Sequence, residues 1–218
     1  MTSTTRGLLS NSGLVAAAWR AGVRDRRVLE ALAAVPRGAY VPDGAEVAAG
    51  ADRPIPIAGG QVTTQPSLVA AMVEALALQG GERVLEVGTG LGYQAAVLAR
   101  LAREVWSVEL RPELAEAARA NLAAERVRNA HVTVGDGGEG LSAHAPYDAI
   151  ILAAAHPRVP PPLVEQLAAG GRLVQPIGTS GAEDVTLFRR AADGRLVRVR
   201  SIMHAYFVPL YGQYGFVE

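Results

Sequence analysis

The 218-residue chain contains no cysteine and no lysine. Without cysteine there can be no disulfide, no thiolate nucleophile and no thiolate-ligated metal. The absence of lysine leaves arginine as the only basic side chain. Together with 24 glycines and abundant alanine, this reads as a compositional bias rather than a functional one. Excess charge of either sign is also missing, since 21 basic residues balance 21 acidic ones. The electrostatic footprint of a nucleic-acid or anionic-membrane partner is therefore lacking. No apolar run approaches the ~20 residues of a membrane span. The short apolar run near the N-terminus is broken by Arg20 and has no basic start, so it makes a poor signal peptide, and a cytoplasmic location is expected. Of the four histidines, His131, His144, His156 and His204, none pairs with another at ligand spacing, so no metal site is expected.

Half the residues are hydrophobic, enough for a sizeable core in a chain expected to form one domain over 1–218. Residues 12–35 read as two short helices, the second capped by Asp25 and stopped by Pro36. Residues 36–64 are dense in proline and glycine and read as loop with short extended pieces, a length that is often functional. The run TQPSLVAAMVEALAL predicts a helix over 66–78 with Pro66 in its first turn and Thr64 near its N-cap. From residue 83 strand-like runs (RVLEV, EVWSVE, AHVTVGD, YDAIILA, GRLVQPI) alternate with helical ones. Nearly continuous apolar strands with short crossovers imply a doubly wound, mostly parallel α/β sheet. Then VTLFRRA, GRLVRVRSI and AYFVPL read as partly antiparallel edge strands. The division is an N-terminal extension (1–80), a cofactor-binding core (81–180) and C-terminal edge strands (181–218).

Residues 83–109 are the most informative. A strand runs into Gly88-Thr89-Gly90-Leu91-Gly92, a helix follows, and a second strand ends on Glu109, next to Leu110. Glycines allow close backbone approach to a ligand, and an acid at the end of the second strand can take both hydroxyls of a ribose. The third glycine comes one residue too early for a dinucleotide fingerprint. Glu86, just before the turn, would repel a pyrophosphate but tolerates the cationic amino-acid end of S-adenosylmethionine. A third element, Asp136-Gly137 at the end of the next strand, is placed to meet an adenine amino group. Singly, each piece is also an ordinary turn or strand end. Together they favour S-adenosylmethionine as cofactor.

Several segments resemble the protein-L-isoaspartate O-methyltransferase family over residues 12–212: DRRVLEALAAVPRGAYVP, ADRPIPIAGGQVTTQPSLVAAMVEAL, RVLEVGTGLGYQAAVLA, APYDAIILAAAHPRVPPPLVEQLAAGGRLVQPIG and FVPL. The most specific are DRPIPIAGGQ followed by T-x-P, and the late FVPL. The resemblance implies a class I S-adenosylmethionine-dependent methyltransferase fold. It also implies methyl transfer to the α-carboxylate of isoaspartyl residues in damaged peptides or proteins, by an enzyme acting as a monomer. A carboxylate with a pKa of about 4 is already ionised, so no strong base is needed. Thr64 falls where the family carries a serine hydroxyl at the reacting carboxylate, beside a helix N-terminus that can stabilise an anion. Ile57, Gln61 and Val208 fall on positions lining the peptide channel. Ser67, where the family often has histidine, falls on the cofactor side, and Gly50 replaces a frequent tyrosine. These departures leave room for a family member dedicated to one peptide precursor, for a small-metabolite methyltransferase, and for a cofactor-binding protein without catalysis.

Overall fold

A computed structural model describes residues 3–179 and 181–217, with side chains from residue 11 onward. The chain opens with helices α1 (Ser3–Arg20) and α2 (Arg26–Ala34). Asp25 accepts a hydrogen bond from the Arg27 N–H and caps α2 as its sequence predicts. Helix α3 (Pro66–Ala75) is shorter than expected, because the chain leaves helical geometry at Ala77 (φ +46°). Between α2 and α3 lie three single 3-10 turns and an antiparallel bridge joining Pro56 to Val62.

The remainder alternates β1 (Arg83–Val87), α4 (Tyr93–Ala99), β2 (Glu104–Glu109), α5 (Pro112–Ala124), β3 (Ala130–Val134), β4 (Tyr147–Leu152), α6 (Pro161–Gln166), β5 (Leu167–Ile177), β6 (Glu183–Arg190) and β7 (Leu196–Ala205). One seven-stranded sheet results, in the order β3-β2-β1-β4-β5-β6-β7. The first five strands are parallel, and β6 and β7 are antiparallel to their neighbours. The central strands alternate their side chains between two cores, which is why they read as continuous apolar runs. Val84, Ala149 and Ile151 join the core under α1–α4, while Leu85, Val87, Ile150 and Leu152 join the core under α6.

One expected strand is absent. AYFVPL is not a third edge strand: β7 runs to Ala205, and the chain then leaves the sheet edge. Phe207 donates its N–H to the buried carboxylate of Glu183 at 2.9 Å. Val208 and Leu210 then exchange two 2.8 Å backbone bonds with Ala155, just past β4. Pro209 explains the change, since it has no N–H to give to a ladder. The diversion carries Val208 over the carboxyl ends of the strands.

Among the described residues no helix is long and apolar enough to cross a membrane. The burial pattern predicts a steep contrast in tolerance. Ile151→Ala, at a fully buried position in β4, should cost about 2–5 kcal/mol in chemical denaturation. Val199→Ala, on the half-exposed β7 edge, should stay within about 0.5 kcal/mol.

Candidate active site

The strand order reverses at β1, whose neighbours are β2 and β4. Connections leaving the carboxyl ends of these strands diverge, and the crevice between them is the expected ligand position. A cleft of about 950 Å³, measured to its open mouth, lies there.

Its floor is the glycine turn. Gly88 and Gly90 have φ of +89° and +55°, a backbone that other residues adopt only with strain. Glu109, 6% exposed, closes the turn from the end of β2. Its Oε2 accepts the Gly90 N–H at 2.8 Å and its Oε1 the Arg111 N–H at 3.0 Å. Each carboxylate oxygen keeps lone pairs beyond these bonds, so Glu109 is oriented and still able to accept from a diol. Thr89, Leu110 and Gly137 line the same cleft. Gly137 is held close to Val87, whose Cγ1 would lie 2.3 Å from any Cβ there.

The opposite wall comes from far upstream. Ile57, Gln61 and Thr64 line the cleft, as does Val208 from the C-terminal tail. Residues 55–63 form a small hairpin, with Ile57 N–H to Gln61 O and Thr63 N–H to Ile55 O, both at 2.8 Å. The Ile57 side chain reaches over the glycine turn, 3.6 Å from where a Cβ on Gly90 would stand. Thr63 spends its hydroxyl on Arg37 and the Ile55 N–H. The neighbouring Thr64 hydroxyl has no hydrogen-bond partner among the described residues and faces the cleft.

Four expected site residues are placed differently. Glu86 is fully buried beneath the turn, outside the cleft. Its Oε2 is bonded by the Ser107 hydroxyl, which is 2.6 Å from that of Thr89. Burial pushes the Glu86 carboxyl up to about 8; the bond from Ser107 opposes the shift and the charge of Glu109 adds to it. Glu86 lies beneath the turn and does not line the cleft, and burial favours its neutral form. Gly92 does not line the cleft; it starts α4 and packs on Ala118 and Leu122. Asp136 does not line the cleft; Gly138 and Gln213 donate their N–H groups to it at 2.7 and 2.6 Å. Ser67 is buried in the first turn of α3, where its N–H donates to Asp52 at 2.8 Å.

That last bond corrects a further expectation. Thr64 is not the N-cap of α3; Gln65 is, and Asp52 supplies the capping carboxylate from 15 residues upstream. The helix N-terminus is thus already occupied by an anion. Other cleft residues escaped the sequence reading. Arg111, two residues past Glu109, and Ala153 and Ala154, at the end of β4, line it and were signalled by the strand-end rule. Tyr40 and Tyr93 line it too and carried no local signal. His156 lies outside the lining, its Nδ1 paired with the Arg158 carbonyl at 2.9 Å and its ring edge-on to Phe216. Among the described residues no group of three metal-ligating side chains could hold a metal ion.

The Glu86 environment has a pH signature. Unfolding releases this carboxyl to its ordinary value of 4.5, so between about 4.5 and about 8 the folded state binds more protons than the unfolded one. Its contribution to stability is full below the lower value and is lost as pH rises through the higher. Thermal unfolding should show the wild type losing stability relative to Glu86→Gln between pH 5 and pH 8. Parallel curves would mean that Glu86 is ionised in the fold.

Comparison with known proteins agrees with this geometry. The family model for protein-L-isoaspartate(D-aspartate) O-methyltransferase matches residues 9–215. A protein-L-isoaspartate O-methyltransferase of Anaeromyxobacter dehalogenans strain 2CP-C is 53% identical over 191 residues, covering 87% of this chain and 91% of its own. One from Aeropyrum pernix is 50% identical over 200 residues, covering 90% of this chain and 76% of its own. A solved protein-L-isoaspartate O-methyltransferase superposes with a TM-score of 0.84 at 29% identity, over 94% of this chain and 67% of that one. A putative Plasmodium falciparum protein-L-isoaspartate O-methyltransferase, solved with S-adenosyl-L-homocysteine, has the same fold, with a TM-score of 0.75 at 21% identity over 92% of this chain and 98% of that one. A family match that leaves out only the ends of the chain, with relatives at half identity over most of both lengths, shows that the chain belongs to the protein-L-isoaspartate O-methyltransferase family.

Proposed function

We propose that this chain methylates the α-carboxylate of L-isoaspartyl residues in damaged peptides or proteins, with S-adenosylmethionine as methyl donor. The carrying observation is that two chemically different walls share one cleft. The glycine turn and Glu109 form one, and the Ile57–Thr64 hairpin with Val208 forms the other.

The residues present fit the cofactor. Glu109 offers a carboxylate already oriented by two N–H groups, suited to a ribose diol. Gly88 and Gly90 let backbone approach the ligand, and Gly137 leaves a smooth surface at the end of β3. When bound, S-adenosylmethionine supplies an electrophilic methyl group on a sulfonium. Transfer would form one C–O bond to the acceptor carboxylate as the methyl–sulfur bond breaks, and would need no proton to move. The absence of a base from the acceptor wall suits that chemistry. Thr64 has one hydroxyl proton to donate to the acceptor carboxylate, which orients the nucleophile. Ile57 and Val208 exclude water beside it. The methyl ester then closes to a succinimide with loss of methanol, and hydrolysis returns part of the material as normal aspartate.

With labelled methyl donor and sequence-matched peptides, label should enter the isoaspartyl peptides and not their aspartyl twins. It should do so across unrelated flanking sequences. No transfer to isoaspartyl peptides, or transfer to one precursor sequence alone, would sink this reading. Glu109→Ala should weaken S-adenosylhomocysteine binding by about 100-fold, the loss of two hydrogen bonds to a charged group; unchanged affinity by calorimetry would remove Glu109 from the ribose role. Thr64→Val should lower kcat about 10-fold or more while leaving cofactor affinity within about twofold. Full activity of that variant would make Thr64 a packing residue.

A further inference from the structure

Thr64 is flanked on both sides by side chains whose bonds are spent on other groups. On the N-terminal side stands Arg37, 1% exposed. Among the described residues no carboxylate is hydrogen-bonded to it, although the charge of Asp52 acts on it. Its Nη1 donates to the carbonyls of Ala49 (3.3 Å) and Ala51 (2.7 Å). Its Nη2 donates to the carbonyl of Arg53 (2.7 Å) and the hydroxyl of Thr63 (3.1 Å). One guanidinium thus gathers three carbonyls of the 49–53 segment and the residue immediately before Thr64. Its plane also lies 6.0 Å from the ring of Tyr93, a wall of the cofactor side of the cleft. On the C-terminal side stands Asp52, within the segment that Arg37 holds. Its Oδ1 accepts the Ser67 N–H at 2.8 Å and its Oδ2 the Gln65 side-chain amide at 2.9 Å. Residues 63, 65 and 67 are all tied down, and the untied hydroxyl between them is that of Thr64.

Burying a guanidinium is costly; the Arg37 Nε is buried without a partner, and the two Nη groups carry all the compensating bonds. Here a planar fork reaches four acceptors at once, which the single ammonium of a lysine cannot do. Resting on the isoaspartyl methyltransferase reading above, we propose that Arg37 and Asp52 are positioning residues for the methyl transfer. Through the 49–53 segment they form a clamp that fixes the Thr64 hydroxyl, and with it the acceptor carboxylate, against the cofactor side of the cleft. Neither touches the reacting atoms.

The test is steady-state kinetics with an isoaspartyl peptide, calorimetry with S-adenosylhomocysteine, and amide hydrogen exchange, on Arg37→Lys, Arg37→Met and Asp52→Ala. A misplacement of the acceptor near 1 Å costs about 10²-fold in rate. Both Arg37 variants should therefore lose on that order in kcat, raise KM for the peptide, keep Kd for S-adenosylhomocysteine within about twofold, and exchange faster over residues 49–65 alone. Asp52→Ala should give the same pattern with smaller losses. Should the Arg37 variants not fold, Thr63→Val removes one acceptor from the fork and should show the local exchange increase with a raised KM. Wild-type KM and exchange in folded variants would overturn the clamp. So would losses of kcat and cofactor binding that rise together with global exchange, since those mark a merely structural residue. The exchange arm needs no substrate, so it tests the clamp even where a wild-type enzyme inert on isoaspartyl peptides has overturned the functional reading.

Discussion

The position of β1 between β2 and β4 governs everything in the cleft. The connection from β1 leads to β2 on one side and the chain later returns to β4 on the other, so the crevice at its carboxyl end stays open between them. The glycine turn leaves β1 at that point. Glu109 then joins the end of β2 to the turn through the Gly90 N–H, and the residues past β4 catch the C-terminal tail through Ala155. The sheet supplies the rigid edge, β2 adds Glu109 to the cofactor wall, and the residues past β4 hold Val208 of the acceptor wall.

Charge at this edge is met chiefly by hydrogen bonds to uncharged groups. Glu109 is met by backbone N–H groups, Arg37 by carbonyls and a hydroxyl, and burial holds Glu86 in its neutral form. Joining an anionic acceptor to a cationic donor destroys two charges, so the transition state is less polar than the reactants. A site that excludes water and contributes fixed dipoles favours such a step more than one lined by mobile counter-ions. An ionised base beside Thr64 would repel the acceptor carboxylate, and the wall formed by Ile57, Gln61 and Thr64 carries none.

The sheet was legible because both its signals are local. Apolar runs such as VLEV and AIIL mark strands buried on two faces, and proline at 66, 112 and 161 marks helix starts. The glycine turn and Glu109 were legible for the same reason, as were Ala153 and Ala154 by position. What failed depended on partners distant in sequence. Thr64 has the right spacing for a cap, but Asp52 fills that role from 15 residues away. Asp136 sits at the expected strand end, and the N–H that it accepts from Gln213, 77 residues on, had no local signal. Glu86 looks like a charged member of the turn, although strand alternation points it downward into the protein. Arg37 gives no sign in the sequence of being a hub, since four acceptors spread over 49–63 converge on it only after folding.

The two walls are also built to different standards of rigidity. The cofactor side is the sheet itself, where β1 and β2 are each bonded to two neighbouring strands. The acceptor side is a hairpin with one bridge, a 3-10 turn, and a tail held by two bonds to Ala155, one to Glu183 and one to Asp136. Segments held by few bonds open at lower free energy than a central sheet. That division matches the two ligands. A cofactor presents the same ribose and adenine every time and suits a fixed receptor. An isoaspartyl site is met in arbitrary sequence, so the surface receiving it must tolerate side chains it has not selected. What such a surface cannot give up is the placement of one hydroxyl relative to the methyl donor. The bonds from Arg37 and Asp52 fall on the residues either side of that hydroxyl, while Val62 and Leu110, toward the open mouth, stay exposed.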